Sequence, residues 1–334
     1  MPEKQNRKTW IVWMLIGLCV VAIPVGLFAK RVGPNPDDGT TDNSWAVKFN
    51  DRIQIISIEG TIEDDDRDSI LSIGSGSSST VRKLEKALKN KKVKGVLLRI
   101  NSPGGTIGAS QELNDAVKKL KKEKPVVVSM GDTAASGGYY VACSADKIFA
   151  NPGTLTGSIG VIISMVNIKD LADKIGIQPK IVKSGPFKDI TSMYRPMTEE
   201  EKAILQELIS DNYDQFVTAV SEGRSMKKEE VKKIADGRVY SGRQALALKL
   251  IDKLGTKNDA LTELQNLCKK KFSLEEDLPV DYGSSGSILG SLLSSSAQAM
   301  GLSRHQTSQE SLVEQILPVS MHSRFQNQPL WLMQ

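Results

Sequence analysis

Length, composition and charge exclude several classes of protein. The chain has 334 residues, of which 40% are apolar and 25% are charged, a balance typical of a globular protein with one large core or two modest ones. The formal charge of +5 does not indicate a nucleic-acid partner, because lysines alternate with acids along the chain, as in 118–124 and 227–233.

The first predicted element is a membrane span. Trp10–Ala29 is an uncharged run of twenty residues, which is long enough as a helix to cross a hydrocarbon layer of about 30 Å. Basic residues precede it, as in a cleaved signal peptide, but the apolar run is too long and no clear cleavage site follows. We expect a retained anchor in the cell membrane, with the N-terminus in the cytoplasm and the bulk of the chain outside it.

Composition divides the chain into five parts. A stretch rich in Gly, Pro, Asp, Asn and Thr follows the span and is typical of a linker, and a Gly/Ser-rich stretch begins near residue 283. The predicted parts are a cytoplasmic N-terminus (1–9), the transmembrane anchor (10–29), a linker (30–50), a folded domain (51–271) and a flexible C-terminal tail (272–334).

Within the folded domain, strand and helix patterns alternate. This order predicts βαβ units, and hence a parallel sheet covered by helices. The strongest single helix signal is Thr198–Gly223, where Thr198 and Glu201 form a predicted capping box. Strands are predicted at 53–58, 93–100, 126–130, 147–150, 159–164 and 179–182, and helices at 81–90, 111–122, 168–175, 198–223 and 255–271.

Two glycine-rich turns follow apolar strands and are the candidate site. The first is NSPGG at 101–105, and the second is GDTAASGGYY at 131–140. Ser136, in the second, lies where a strand gives way to a predicted helix, a setting that exposes a nucleophilic hydroxyl. The amides of Gly137 and Gly105 could bind the oxyanion of a tetrahedral intermediate. Such turns can also be purely structural, or can bind phosphate.

A nucleophilic Ser136 needs a general base, and histidine is not expected to supply it. The two histidines, His305 and His322, lie in the C-terminal tail, so a Ser-His-Asp triad inside the domain is not expected. A lysine can replace histidine if burial lowers its pKa from about 10.4 towards neutrality. Lys188 lies in a Gly-Pro loop that could enter a cleft, and Lys183 lies in the same loop; the residues alone do not separate the two.

The three cysteines provide neither a disulfide framework nor a metal site. Cys19 lies in the apolar run, Cys143 follows the second glycine turn, and Cys268 lies in a charged helix. No cysteine or histidine lies at a ligand's spacing from another, so we expect no bound metal. Cys143 has no histidine near it in sequence, and we predict that it is a small buried apolar residue rather than a nucleophile.

At these motifs the chain resembles the bacterial signal peptide peptidase A family, in its short single-domain form with one N-terminal anchor. The resemblance covers residues 52–256. It rests on five ordered motifs: NSPGG at 101–105, AASGGYY at 134–140, LTGSIGVI at 155–162, KSGPFKD at 183–189 and ADGRVYSGRQA at 235–245.

The resemblance assigns residues to roles. It implies that Ser136 is the nucleophile and Lys188 the general base, that Ser158 hydrogen-bonds the lysine amine, and that Gly105 and Gly137 supply the oxyanion donors. It implies a crotonase-like, or Clp protease-like, spiral of βαβ units for the α/β domain at 51–271. It implies no cofactor, and a homo-oligomeric ring in which serine and lysine come from one subunit or from neighbouring subunits.

The function that follows is a membrane-anchored serine endopeptidase with a Ser-Lys dyad. By resemblance, its substrates are remnant signal peptides and other apolar peptides within reach of the lipid. Two alternatives remain: a crotonase-fold acyl-CoA hydratase or isomerase, and a non-catalytic membrane scaffold that binds apolar peptides. The apolar C-terminus, PLWLMQ at 329–334, also suggests that the tail lies in or near the cleft as a self-substrate or plug.

Overall fold

The computed structural model describes residues 50–64, 76–282 and 330–332. Its strands are β1 (Arg52–Glu59), β2 (Val93–Ser102), β3 (Gly104–Thr106), β4 (Val126–Ala135), β5 (Lys147–Ala150), β6 (Leu155–Gly157), β7 (Val239–Ser241), β8 (Lys253–Leu254), β9 (Val280–Asp281) and β10 (Leu330–Leu332). Its helices are α1 (Ser77–Lys89), α2 (Ile107–Glu123), α3 (Gly137–Ala142), α4 (Lys169–Lys174), α5 (Glu199–Arg224), α6 (Lys228–Ile234), α7 (Gly242–Ala247) and α8 (Lys257–Phe272).

The main sheet is mostly parallel, as the βαβ alternation predicts. Its strand order is β7-β6-β4-β2-β1-β9, with β5 beside β4 and β8 beside β5. All of its pairs are parallel except β6 with β7. The long strand β4 pairs through its first half with β5 and through its second half with β6, so its carboxyl end lies between β2 and β6.

Apolar side chains fill both faces of this sheet. On one face, Ile53, Leu97 and Val127 pack with Leu264 and Cys268 of α8. The larger cluster on the other face joins the remaining strand residues to α1, α2, α3 and the second half of α5. Strands buried on both faces are the reason that the sequence shows continuous apolar runs rather than alternation.

The domain extends past residue 271, where the sequence predicts that it ends. Leu278 is buried, and Gln265 both donates to the Leu278 carbonyl and accepts from its amide, at 2.8 and 2.9 Å. Strand β9 then pairs with β1 at the edge of the sheet. The sequence does not predict β9, because the composition after residue 272 is polar and a two-residue strand gives no periodic signal.

Two predicted strands, 159–164 and 179–182, are wrong. Neither segment forms a strand of the sheet, and the strand in this region is β6, just before the first of them. Val182 is fully exposed, and Ile181 is about half exposed. Their apolar, β-branched sequence belongs to an irregular, exposed arm, residues 162–198, that contains only the short helix α4.

The predicted anchor at 10–29 and residues 30–49 of the predicted linker (30–50) lie outside the described residues. Among the helices that the structure does describe, none combines the length and the apolar character needed to cross a membrane. The anchor therefore stays a prediction.

Candidate active site

Ser136 occupies the junction of β4 and α3 in a strained backbone conformation. Its φ of 51° and ψ of −119° are unusual for a residue other than glycine. The Ser136 amide donates to the Gly157 carbonyl at 2.8 Å, which ties the turn to β6. Nucleophilic serines of hydrolases occupy a similar strained strand-to-helix turn.

The Ser136 hydroxyl is buried and unpaired. The residue is 1% exposed, and its Oγ has no hydrogen-bond partner among the described residues. A buried hydroxyl without a partner costs free energy, and in native structures such a group usually has a functional reason. Among the described residues, therefore, no partner competes with a base or a substrate for this hydroxyl.

Strand register brings Ser158 beside Ser136. The pairing of Ala135 with Gly157 puts the two serines at the matching ends of β4 and β6. Ser158 is nearly buried, also has a positive φ, of 50°, and donates its amide to the Arg238 carbonyl at 2.9 Å. The sequence prediction that these two serines share a site is thus consistent with the geometry.

Gly137 and Gly105 meet at the same place. A Cβ on Gly137 would lie 3.2 Å from the Gly105 nitrogen and 2.4 Å from the Ser110 Oγ, so only glycine fits without displacement. As the first residue of α3, Gly137 has no intrahelical acceptor for its N–H. Two backbone amides beside one hydroxyl are the arrangement of an oxyanion hole.

The Gly105 amide faces away from its neighbouring strand. Gly105 bridges Ile62 in parallel, but the bonds of that bridge run from the Ile62 amide to the Gly104 carbonyl and from the Thr106 amide to the Ile62 carbonyl, both at 2.8 Å. In such a ladder the N–H and C=O of Gly105 point to the opposite side. A Cβ at this position would also collide with the Ile62 carbonyl, at 1.9 Å.

The open side of β3 is paired with the C-terminus. Strand β10 runs antiparallel to β3, with Trp331 opposite Gly105, Leu330 opposite Thr106 and Leu332 opposite Gly104. This pairing agrees with the sequence expectation that the tail lies near the cleft, whereas its role as a self-substrate or plug stays a prediction. The edge of β3 next to Gly105 is thus paired with an extended segment of the same chain.

Lys188 is not joined to Ser136 by a hydrogen bond within the described chain. It lies on a turn-rich loop, where its amide donates to the Gly185 carbonyl at 3.3 Å, and its side chain is exposed. Lys183, by contrast, donates from Nζ to Asp189 Oδ1 at 2.6 Å and to the Pro186 carbonyl at 2.9 Å. Among the described residues, the Lys188 amine therefore has no hydrogen-bond partner, whereas the Lys183 amine is occupied.

Cys143 is fully buried, as predicted. Burial raises the pKa of its thiol to about 12, and the neighbouring Tyr140 carbonyl accepts from Sγ at 3.1 Å. A thiol with so high a pKa is not a nucleophile at neutral pH. Its role is packing behind α3.

Sequence reasoning missed the charged cluster beside Lys188. Arg195 donates to the carboxylates of both Asp189 and Glu201. Hydrogen bonds from Arg195 and then from Lys183 hold the pKa of Asp189 far below its usual range, and Arg195 with the Thr198 amide lowers that of Glu201 to about 2. The only signal was the capping box at Thr198 and Glu201, which gives no hint of an arginine.

Two family models match the chain. The model for peptidase family S49 matches residues 118–271, and the model for Clp protease matches residues 55–166. The second match agrees with the observed α/β fold and with the Clp protease-like class predicted from the sequence.

Individual relatives are also proteases by name. The chain is 45% identical to a putative protease of Synechocystis sp. over 65% of this chain and 75% of that protein. It is 39% identical to the putative signal peptide peptidase SppA of Enterococcus faecium over 83% and 85% of the two chains. It is 35% identical to Protease 4 of Haemophilus influenzae over 73% of this chain and 40% of that longer protein. The chain thus belongs to peptidase family S49, the family of signal peptide peptidase A, and is a serine protease.

Proposed function

We propose that the protein is a membrane-anchored endopeptidase that cleaves remnant signal peptides and other apolar peptides with a Ser136–Lys188 dyad. The observation that carries this proposal is the buried, unpaired Ser136 hydroxyl at a strained turn, beside the Gly105 and Gly137 amides. Attack by such a hydroxyl on a peptide carbonyl needs a base to take its proton, and none of the described side chains of the same chain hydrogen-bonds the hydroxyl.

The chemistry follows from these positions. Lys188, as a neutral amine, takes the Ser136 proton while the hydroxyl attacks the peptide carbonyl, and the two glycine amides stabilise the oxyanion. The lysine then protonates the leaving amine, and an acyl-enzyme remains on Ser136. Ser158 hydrogen-bonds and orients the lysine amine, which next activates the water that hydrolyses the acyl-enzyme.

Lys188 is favoured over Lys183 by its contacts. The Lys183 amine is engaged in an ion pair with Asp189 inside its own loop, and a donating ammonium cannot also accept a proton. The Lys188 side chain is exposed and has no such partner among the described residues. These contacts support Lys188 as the base.

The dyad is completed between two copies of the chain. The arm that carries Lys188 exposes a series of large apolar side chains, and exposed apolar surface of this kind marks protein–protein contacts. A ring of identical copies, each of which inserts its arm towards the next, would bury this surface and bring Lys188 to the unpaired Ser136 of a neighbour. The exposed large apolar residues of the arm are Ile162, Val166, Leu171, Ile175, Ile177, Ile181, Val182 and Phe187.

The pairing of β10 with β3 supports an extended peptide as the substrate. It also supports inhibition of the enzyme by its own C-terminal tail. An extended segment of the chain pairs with β3 at Gly105, so an extended peptide substrate fits the same edge by main-chain hydrogen bonds. The tail and the substrate then compete for one strand edge. The predicted span at 10–29 would hold this edge outside the cell and close to apolar peptides left in the lipid.

The test is cleavage of a synthetic signal peptide by the full-length protein in detergent. Wild type is expected to cut it, whereas Ser136→Ala and Lys188→Ala are expected to be inactive with unchanged folding. Lys183→Ala is the matched control and should keep most of the activity. Cleavage by Lys188→Ala at the wild-type rate would refute the dyad, and acyl-CoA turnover that survives Ser136→Ala would favour the hydratase alternative instead.

A further inference from the structure

The loop that bears Lys188 is held mainly by local turns. Its backbone bonds join Lys188 to Gly185, Ile190 to Phe187, and Ser192 to Asp189, at 2.9 to 3.3 Å. Bonds over three residues shape the loop, but they do not fix its position relative to the rest of the domain. A base that must meet a hydroxyl within hydrogen-bond distance needs such a fixed position.

Arg195 donates hydrogen bonds to Asp189, which lies in this loop next to Lys188. Its Nε donates to Asp189 Oδ2 at 3.0 Å, and its Nη2 donates to Asp189 Oδ1 at 2.9 Å and to the Asp189 carbonyl at 3.0 Å. The guanidinium thus donates hydrogen bonds to both the side chain and the backbone of Asp189, the residue next to Lys188. A bidentate contact of this type fixes orientation as well as distance.

The same guanidinium joins the loop to a long helix. Arg195 Nη1 donates to Glu201 Oε2 at 2.8 Å, and Nη2 donates to Oε1. Glu201 lies in the first turn of α5, with its side chain 4% exposed, and its carboxylate also caps the Thr198 amide at 2.9 Å. The far half of α5 is anchored in the core through Phe216 and Val220.

The cluster balances its charges without Lys188. Two carboxylates, Asp189 and Glu201, face two cations, Arg195 and Lys183. Because both carboxylates are already paired with other cations, the described cluster does not engage the Lys188 amine. Both carboxylates stay ionised over the neutral pH range, since Arg195 holds the pKa of each of them well below that range.

We propose that Arg195 is the positioning residue for Lys188: by bridging Asp189 to Glu201, it fixes the lysine loop on the start of α5. This inference rests on the proposed role of Lys188 as the base. A displacement of about 1 Å in a catalytic group can cost on the order of 100-fold in rate. Because Lys188 moves a proton and does not hold the peptide, loss of the bridge lowers kcat and leaves KM nearly unchanged.

The experiment measures kcat and KM of the full-length protein on an internally quenched peptide that contains an apolar signal-sequence core. Arg195→Ala is expected to lower kcat by about 10- to 100-fold, with KM within about 2-fold of wild type. Arg195→Lys keeps the charge but not the fork, so it should recover only part of kcat. A wild-type kcat in Arg195→Ala, or full recovery in Arg195→Lys, would overturn the inference.

A matched ion pair separates positioning from simple stabilisation. Arg224 donates from Nη1 to Asp252 Oδ2 at 3.0 Å, at the other end of α5 and away from the lysine loop. Arg224→Ala should lower the melting temperature yet leave kcat unchanged. If both arginine variants lose kcat in proportion to their loss of stability, Arg195 is structural only, and the inference falls.

Lys188→Ala, measured alongside, keeps the two proposals distinguishable. If Lys188→Ala is inactive while Arg195→Ala keeps the wild-type kcat, only the positioning role fails. If Lys188→Ala is itself active, the base is wrong and the dyad fails with it.

Discussion

The two halves of the site are built in different ways. The serine half is buried, and its members are placed by strand register: β4 and β6 align Ser136 with Ser158, and β3 presents Gly105 next to Gly137. The lysine half is an exposed arm without a sheet strand, fixed by one arginine bridge. The fold thus preorganises the proposed nucleophile and oxyanion hole, whereas the proposed base depends on local ion pairs and, in the proposed assembly, on a second copy.

The largest expected effect tests the serine half. Ser136→Ala should lower kcat by at least about 1,000-fold, because it removes the proposed nucleophile. The variant should be as stable as wild type or slightly more stable, since the lost hydroxyl has no partner among the described residues. Thermal melting and peptide cleavage together check this. A marked loss of stability would mean that the hydroxyl has a partner and is not free for attack.

A smaller effect is expected from a methyl group in the oxyanion hole. Gly137→Ala places a Cβ 2.4 Å from Ser110 Oγ and should lower kcat by about 100-fold, comparable to the loss of one oxyanion donor. Adding Ser110→Ala should recover part of that loss, because it removes the colliding oxygen. Gly153→Ala is the control, as a Cβ there meets nothing within 4 Å. Equal activity of the Gly137 and Gly153 variants would rule out the proposed oxyanion hole.

Removal of the tail should change activity in the opposite direction. Deletion of residues 302–334 frees the edge of β3, so we expect a several-fold lower apparent KM for the peptide with kcat little changed. Trp331→Pro, which removes one main-chain donor from β10, should reproduce part of the effect. Kinetics that are unchanged in both variants would show that the tail does not compete with substrate.

The smallest effect is expected at Asp252, whose ion pair with Arg224 lies outside both halves of the site. Burial alone would raise the pKa of Asp252, but Arg224, the Ile148 amide and Lys147 hold it below its usual value. The stability gained from this carboxylate is therefore present above the unfolded pKa of about 3.9 and is lost as pH falls through the lower folded pKa. Asp252→Asn should cost about 1–3 kcal/mol of unfolding free energy at pH 7 and less below pH of about 4, with kcat unaffected.

Denaturant titrations at several pH values measure this difference. If the difference in unfolding free energy between wild type and Asp252→Asn stays the same in acid, the stabilising role of the ionised Asp252 carboxylate is wrong. A fall in kcat in Asp252→Asn would mean that this ion pair also contributes to catalysis. The serine half would then depend on ion pairs as well.

The sequence predicted the serine half better than the lysine half, for physical reasons. The motifs around Ser136, Ser158 and Gly105 lie at the ends of strands, and parallel strands bring their carboxyl ends together. The arm around Lys188 has the same apolar, β-branched composition as a strand, so periodicity predicted strands at 159–164 and 179–182 where the chain is irregular. The Arg195 bridge and the return of β9 depend on tertiary contacts that leave no local pattern.

The most direct test of the central claim is complementation between two inactive variants. Ser136→Ala and Lys188→Ala are co-expressed with different tags, and mixed assemblies are isolated by both tags and assayed on the signal peptide. If serine and lysine meet across a contact between copies, about a quarter of the sites in a random ring are intact, and activity returns to about that fraction of wild type. Mixed assemblies that stay inactive would contradict the shared dyad, and activity of the pure Lys188→Ala protein would contradict the dyad altogether.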